Sequence, residues 1–194
     1  LPICNFTVTS TGTGQLRLTG SASPTFNIGG NLVVNAGILV GGNNSGTITF
    51  NVAGQVLVNG GTFDLKNATG AAGGGAVLNA SNNVSIASGA TLSGSSGTRS
   101  INFVRAGTQS FANAGTLNVA GTTWNVAAGA TLTLGTNLIA GTGPFNLNAG
   151  AGLEIGSPDG IAATNASGNV QVSGARSFSP AASYTYNGAA AQAS

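Results

Sequence analysis

The sequence predicts an all-β chain wound as a parallel β-helix, and three observations support this. Short apolar runs of about three residues alternate with turns of Gly, Asn and Ala. A small-residue turn followed by an apolar strand recurs at intervals that mostly lie between 21 and 28 residues. Glycine supplies 33 of the 194 residues. Repeats of this length with several short strands are typical of solenoids, so we expect a β-solenoid of about six coils.

The rungs are clearest at the start of the predicted solenoid, which we place at residues 25–156. Strands at 26–28, 32–34 and 38–40 are separated by three-residue turns. Because side chains alternate along a strand, this spacing predicts inward-facing residues at 26 and 28, 32 and 34, and 38 and 40. Each six-residue step carries the chain from one face of a coil to the next. We expect the winding to be right-handed.

The same step returns later in the chain, and a longer period lies over it. Inward-facing pairs are predicted at Leu78 and Ala80, Val84 and Ile86, Ala90 and Leu92, Phe145 and Leu147, and Ala151 and Leu153. The longer period follows turns such as 35–37 and 59–61, and aromatic residues such as Trp124 fall roughly in step with it. We expect Trp124 to lie in the core. Gly and Asn are expected to supply the positive φ angles at the corners.

Asparagine also recurs along the predicted coils, and we expect it at strand edges and corners. Stacked coil on coil, asparagine side chains can form ladders of amide hydrogen bonds. The residues concerned are Asn27, Asn35, Asn51, Asn59, Asn79, Asn102, Asn118, Asn125, Asn146 and Asn148.

The two terminal segments do not follow the coil pattern. Residues 1–24 contain strand-like runs at 6–9 and 15–19, and residues 157–194 open with a turn and contain runs at 169–172, 176–178 and 184–188. We interpret them as β-rich caps or couplers. A solenoid without caps exposes strand edges that can pair with another chain.

Charge is scarce, and this excludes several classes of function. The chain has five Lys or Arg, three Asp or Glu and no His. The cations are scattered, so we expect no nucleic-acid partner. The longest apolar runs are far shorter than the roughly 18 residues of a membrane-spanning helix, so we expect no membrane span. No cofactor or metal is expected.

An enzyme is not expected either. Parallel β-helix enzymes need clustered acidic groups, but Glu154 and Asp159 lie five residues apart across a turn and Asp64 is about ninety residues from both. Asp64 and Lys66 share one face of a strand, which predicts a surface ion pair. Cys4 has no second cysteine to pair with and is expected to be a small buried apolar side chain.

The C-terminal segment carries a resemblance to a known class of proteins. Residues 153–161, 167–174, 176–178 and 184–192 are similar to a module of very long bacterial secreted proteins with adhesin-like β-solenoid repeats, of the type IX secretion substrate kind. The resemblance covers most of the chain and is strongest in its last forty residues. In such proteins a tyrosine-rich end is followed by a Leu-Pro and a strand like residues 1–8. The resemblance implies a unit that continues head to tail, in one polypeptide or as separate subunits.

These features together predict an extracellular structural protein of the bacterial surface, a repeat unit or filament subunit whose partners are copies of itself. Residues 157–194 of one copy would dock on residues 1–20 of the next. The candidate contact residues are Phe6, Val8, Phe178, Tyr184 and Tyr186. Two alternatives are a carbohydrate-binding adhesin module that recognises surface glycans through Trp124 or the two tyrosines, and an ice-binding solenoid with threonine pairs such as Thr131 and Thr133.

Overall fold

The structure is a computed structural model that describes residues 3–18, 23–42, 45–67, 73–162 and 164–191. The described residues form 22 β-strands and no helix. All pairings between these strands are parallel, as the sequence predicts for a β-solenoid. The strands wind through about six turns.

Each complete coil contributes one strand to each of three sides. The first side is a seven-stranded sheet, the second an eight-stranded sheet and the third a five-stranded sheet, with β17 and β20 paired separately. The strands are β1 (Phe6–Val8), β2 (Leu16–Arg17), β3 (Thr25–Ile28), β4 (Leu32–Val34), β5 (Ile38–Gly42), β6 (Thr47–Val52), β7 (Val56–Val58), β8 (Thr62–Lys66), β9 (Gly75–Ala80), β10 (Val84–Ile86), β11 (Thr91–Ser93), β12 (Thr98–Phe103), β13 (Gly107–Asn113), β14 (Thr116–Asn118), β15 (Thr122–Val126), β16 (Ala130–Gly135), β17 (Ile139–Gly141), β18 (Phe145–Leu147), β19 (Gly152–Ile155), β20 (Val170–Val172), β21 (Arg176–Phe178) and β22 (Ser183–Tyr186).

The core is one continuous cluster of buried apolar side chains that runs through all the coils. The inward pairs predicted between residues 78 and 92 and between 145 and 153 are all buried. Trp124 is fully buried, stacked on Phe103 with ring centroids 6.3 Å apart and edge-on to Phe111 at 5.4 Å. Aromatic pairs in these geometries add to the stabilisation from burial. The prediction of a core tryptophan is confirmed.

The prediction of inward residues at 38 and 40 is wrong by one position. Leu39 packs in the core and pairs with Phe63 of the next coil, whereas Val40, although buried, lies outside the core cluster and pairs with Asp64. The corner before this strand is one residue longer than the sequence predicts, because the next inward residue after Val34 is Leu39 rather than residue 38.

Glycine alone takes positive φ at the described corners, so the expectation for asparagine is wrong. No described non-glycine residue has positive φ. The recurring turn also serves two different corners. Gly37 and Gly89 lie between the second and third sides, whereas Gly129 and Gly150 lie between the first and second. The apparent single repeat in the sequence is therefore two turns with the same local chemistry.

Six asparagines form a continuous ladder along the outer surface of the first side. Each side-chain Nδ2 donates to the Oδ1 of the asparagine one coil earlier, at 2.7 to 2.8 Å. The ladder contains Asn27, Asn51, Asn79, Asn102, Asn125 and Asn146. The predicted amide ladder is confirmed, but these residues lie between inward-facing residues within strands rather than at strand edges. Asn59 and Asn35 form a separate amide pair at a corner.

Both terminal segments continue the three sides. β1 pairs with β4, β2 with β5, β21 with β18, and β22 with β19. The change in sequence pattern near residues 24 and 157 therefore does not mark a change in architecture. Residues 1–2, 19–22, 163 and 192–194, which belong to the predicted couplers, lie outside the described residues.

Candidate functional site at the two ends of the solenoid

The two ends of the molecule are opposite edges of the same sheets. In the eight-stranded sheet β1 is the first strand and β22 the last. Seven inter-strand steps of about 4.8 Å place these edges roughly 34 Å apart. No described strand lies beyond either edge in this sheet. A second copy could therefore extend the sheet at either end.

At the N-terminal end, the backbone of Thr7 is directed to the open edge. The Phe6 N–H donates to the Asn31 carbonyl at 2.8 Å, and the Val8 carbonyl accepts from the Asn35 N–H at 2.8 Å. Phe6 and Val8 thus bond toward β4. Since neighbouring residues in a strand direct their backbone groups to opposite sides, Thr7 presents its N–H and C=O to the open side.

At the C-terminal end, Tyr184 and Tyr186 present their backbone groups instead. The Ser183 N–H donates to the Ala151 carbonyl at 2.8 Å, and the Asn187 N–H donates to the Ile155 carbonyl at 2.9 Å. Residues 183, 185 and 187 therefore bond back to β19. By the same alternation, the N–H and C=O groups of Tyr184 and Tyr186 point to the open side.

The two open edges are complementary in hydrogen-bonding pattern, and both strands direct alternate side chains toward the core. Inside the sheet, inward-facing residues bond to the following coil, as when the Leu32 N–H donates to the Gln55 carbonyl at 2.9 Å. Tyr184 and Tyr186 occupy the inward columns of Leu153 and Ile155, and Phe6 and Val8 those of Leu32 and Val34. The register changes between the two ends at β13, where Phe111 pairs with Val84 but Gln109 pairs with Leu132, so Tyr184 does not lie in the column of Phe6. A copy placed with its β1 after β22 would repeat the backbone hydrogen-bonding pattern of the internal steps.

The predicted contact side chains fall into two groups, one at each end. Phe6 and Val8 lie on β1, where Val8 is buried and Phe6 is half-buried against the core. Phe178 and Tyr184 pack on the last coil, where Phe178 contacts Phe145 with ring centroids 5.6 Å apart. Tyr186 is 39% exposed. One chain does not bring the two groups together, so their contact requires a second unit.

Local contacts hold the tyrosine strand in place. The Tyr184 hydroxyl donates to the Ser179 carbonyl at 2.7 Å, which ties β22 to the turn that precedes it. Burial raises the pKa of the Tyr184 hydroxyl, and Tyr186 adds to this effect. The hydroxyl therefore stays protonated at neutral pH and remains a hydrogen-bond donor.

The N-terminal end also has an open cavity beside the first coil. It has a volume of about 340 Å³ and is lined by Thr7, Val8, Thr9, Ser10, Thr11, Gln15 and Leu16. Leu16 is 39% exposed although it heads the core column that continues through Leu39. An apolar side chain exposed at the end of a core column is a natural contact for a further coil.

Cys4 lies near this end and is exposed, so the expectation of a buried apolar cysteine is wrong. It lines a smaller hollow with Ile3, Asn5, Gly29 and Gly30. The described segment before β1 lies at the edge of the first side, where Ile3 forms an isolated bridge to Ile28. Because one bridge covers little surface, the next residue remains open to solvent.

A cluster of polar residues lies at the corner between the third and first sides, and sequence reasoning missed its central residue. Arg99 is 8% exposed and occupies an inward position of β12. Its guanidinium donates to the carbonyls of Ser96, Gly97 and Ala120 and to the Thr122 hydroxyl. A guanidinium carries five N–H donors in a fixed planar fork, so it can bond to several carbonyls at once. Gly94 leaves room for the arginine side chain.

Asp64 and Lys66 lie near this arginine but do not form the surface pair that the sequence predicts. Lys66 is fully buried, and burial lowers its pKa. Burial raises the pKa of the Asp64 carboxyl, an effect partly offset by the Lys66 backbone N–H, the Ser93 side chain, Arg99 and Arg17. The Asp64 Oδ1 atom is buried without a hydrogen-bond partner. The contacts of this cluster join backbone groups of neighbouring coils.

Within the described chain, no three His, Cys, Asp or Glu side chains gather as a metal site. Glu154 accepts a hydrogen bond from the Thr133 hydroxyl at 2.7 Å, and Asp159 lies in an exposed turn. The described residues also contain no helix with the length and hydropathy of a membrane span. Comparison with protein-family models, curated proteins and solved structures finds no match to the chain.

Proposed function

We propose that the chain is a structural unit that stacks end to end with copies of itself. The observation that supports this most strongly is the complementarity of β22 and β1 in backbone polarity, together with the inward-facing aromatic and apolar side chains on both strands. The partners are further copies, whether as tandem units of one polypeptide or as separate subunits. We also propose an extracellular role at the bacterial surface, a proposal that rests on the sequence resemblance.

Side-chain chemistry at the junction favours stacking. In the proposed junction Tyr184 and Tyr186 of one copy lie over Phe6 and Val8 of the next, since both pairs face inward on the second side. The exposed Leu16 side chain would also become buried against the neighbouring copy. Apolar burial stabilises association by about 25 cal/mol per Å². The two alternatives have less support. Trp124 is fully buried, and the threonine column stops after one step, since Thr131 pairs with Thr108 on one side but with Gly152 on the other.

Proline substitutions at the two edges test this proposal. In Thr7→Pro the lost N–H is the one that points away from β4, so no internal ladder bond is removed and the fold should persist. Tyr186→Pro does the same at the other end. We expect the sedimentation coefficient of the unmodified chain to increase with concentration as assemblies form. Each variant alone should sediment as a monomer, and its circular dichroism spectrum should match that of the unmodified chain.

Mixing the variants tests the direction of stacking. Tyr184 and its neighbours remain intact in Thr7→Pro, and β1 remains intact in Tyr186→Pro. An equimolar mixture should therefore form dimers and stop there. Thr7→Ala, which keeps the N–H, is the matched control and should assemble like the unmodified chain. Assembly of Thr7→Pro alone, or no dimer in the mixture, would contradict the proposal.

A further inference from the structure

The outer surface of the first side is uniform and uncharged. We call it the asparagine face, defined by the ladder of Asn27, Asn51, Asn79, Asn102, Asn125 and Asn146 and a parallel column of Thr25, Thr49, Val77, Ser100 and Thr123. None of these eleven residues is charged. The identical face of a second copy would therefore meet it without charge repulsion.

The ladder leaves half of its hydrogen-bonding capacity unused. A primary amide offers two N–H donors and two acceptor lone pairs. Asn79, for example, donates once to Asn51 and accepts once from Asn102, both within 2.8 Å. Within the described part of the chain, Asn51, Asn102 and Asn125 likewise donate once and accept once. Each amide therefore retains one donor and one acceptor for a partner outside the chain.

The geometry of the amide group identifies the retained groups. Repeated N–H to O=C bonds along one axis require an N–H that points opposite to the carbonyl, which is the hydrogen trans to oxygen. The retained hydrogen is cis to oxygen and lies beside the remaining lone pair. Such an edge is self-complementary, because a second amide turned through two-fold symmetry can donate to it and accept from it.

We propose that stacked units pair laterally, asparagine face against asparagine face, in antiparallel orientation. In this arrangement each amide of one ladder forms two hydrogen bonds with an amide of the other, and the hydroxyl columns lie alongside. Antiparallel pairing follows from the two-fold relation of the amides, and it makes the interface isologous. Paired sheets with amide ladders at their interface are a stable arrangement in stacked β-structures.

The inference rests on the proposed end-to-end stacking, because a single unit offers too little area. Seven strands at about 4.8 Å, each contributing three or four residues of about 3.3 Å, give a face of roughly 400 Å². A standard interface buries about 800 Å² per partner. One unit thus falls short, but a stack of units presents the same face repeatedly, and the pairing adds over its length.

Mass per length in electron microscopy tests the pairing. The double variant Thr49→Lys, Ser100→Lys places two cations on the asparagine face. Both positions are half-buried and lie outside the ladder, and their side chains make no hydrogen bond within the described structure. We expect the unmodified filament to show twice the mass per length of the doubly substituted one. Ser85→Lys with Thr131→Lys adds the same charge to the second side and is the matched control, expected to remain paired.

The outcomes separate this inference from the proposed function. Unmodified filaments with the mass per length of one stack would overturn lateral pairing and leave end-to-end stacking intact. Filaments that stay paired in the Thr49→Lys, Ser100→Lys variant, or that pair in parallel, would also overturn it. Absence of any filament would overturn both proposals.

Discussion

At the scale of single residues, a buried polar side chain joins neighbouring coils in a way that the sequence does not reveal. Arg99 reads as one of five scattered cations, yet its guanidinium binds carbonyls of two successive coils. Its role depends on room made by Gly94 and on the corner that brings Ala120 nearby. Those are contacts between coils, so local sequence could not show them. The burial of Trp124, in contrast, follows directly from strand alternation.

Asp64 predicts that folding stability increases on acidification, which is the opposite of the usual effect of a carboxyl group. Burial raises its pKa above the ordinary 3.8, so the folded state takes up the proton first as the pH falls. Folded stability should therefore rise as the pH falls from the raised pKa toward 3.8, and this contribution is lost again as the pH rises. Asp64→Asn should unfold at higher urea concentration at pH 7 and gain less on acidification, as measured by circular dichroism.

The matched control for loss of one negative charge is Asp159→Asn, in an exposed turn. Comparing the two variants separates the buried position from net charge. A less stable Asp64→Asn chain that kept the full stability gain at low pH would show that the carboxylate is favoured in the fold.

At the scale of elements, the sequence predicts strands well and corners less well. Alternating side chains identify the strands on the first and second sides, because inward and outward residues differ in polarity. The third side is less predictable, since the corner after the second side is one residue longer than expected and Leu39, not residue 38, is the next inward residue after Val34. Similarly, the outward position of the ladder asparagines within strands could not be predicted from their frequency alone.

The ladder predicts a position-dependent cost. Asn79→Ala removes two amide hydrogen bonds, whereas Asn27→Ala, at the end of the ladder, removes one. Each such bond contributes about 1 kcal/mol net, so we expect losses of about 2 and about 1 kcal/mol in the free energy of unfolding. Urea titration of both variants measures this. Equal losses would show that the bonds along the ladder do not set the stability.

At the scale of the whole molecule, the candidate site consists of the two open edges of the solenoid, β1 and β22. The sequence predicts the contact residues because apolar and aromatic residues recur in segments that do not match the central coils. It does not predict that these segments are themselves coil strands, since their pairing with β4 and β19 depends on register across about 26 and 31 residues.

The most direct test of end-to-end stacking is cryo-electron microscopy of the chain after incubation at high concentration. We expect filaments in which β22 of one copy pairs in parallel with β1 of the next, with a spacing of about 4.8 Å across the junction. Tyr184 should lie over Phe6 and Tyr186 over Val8. Monodisperse single units under these conditions, or filaments joined through another surface, would contradict the proposal.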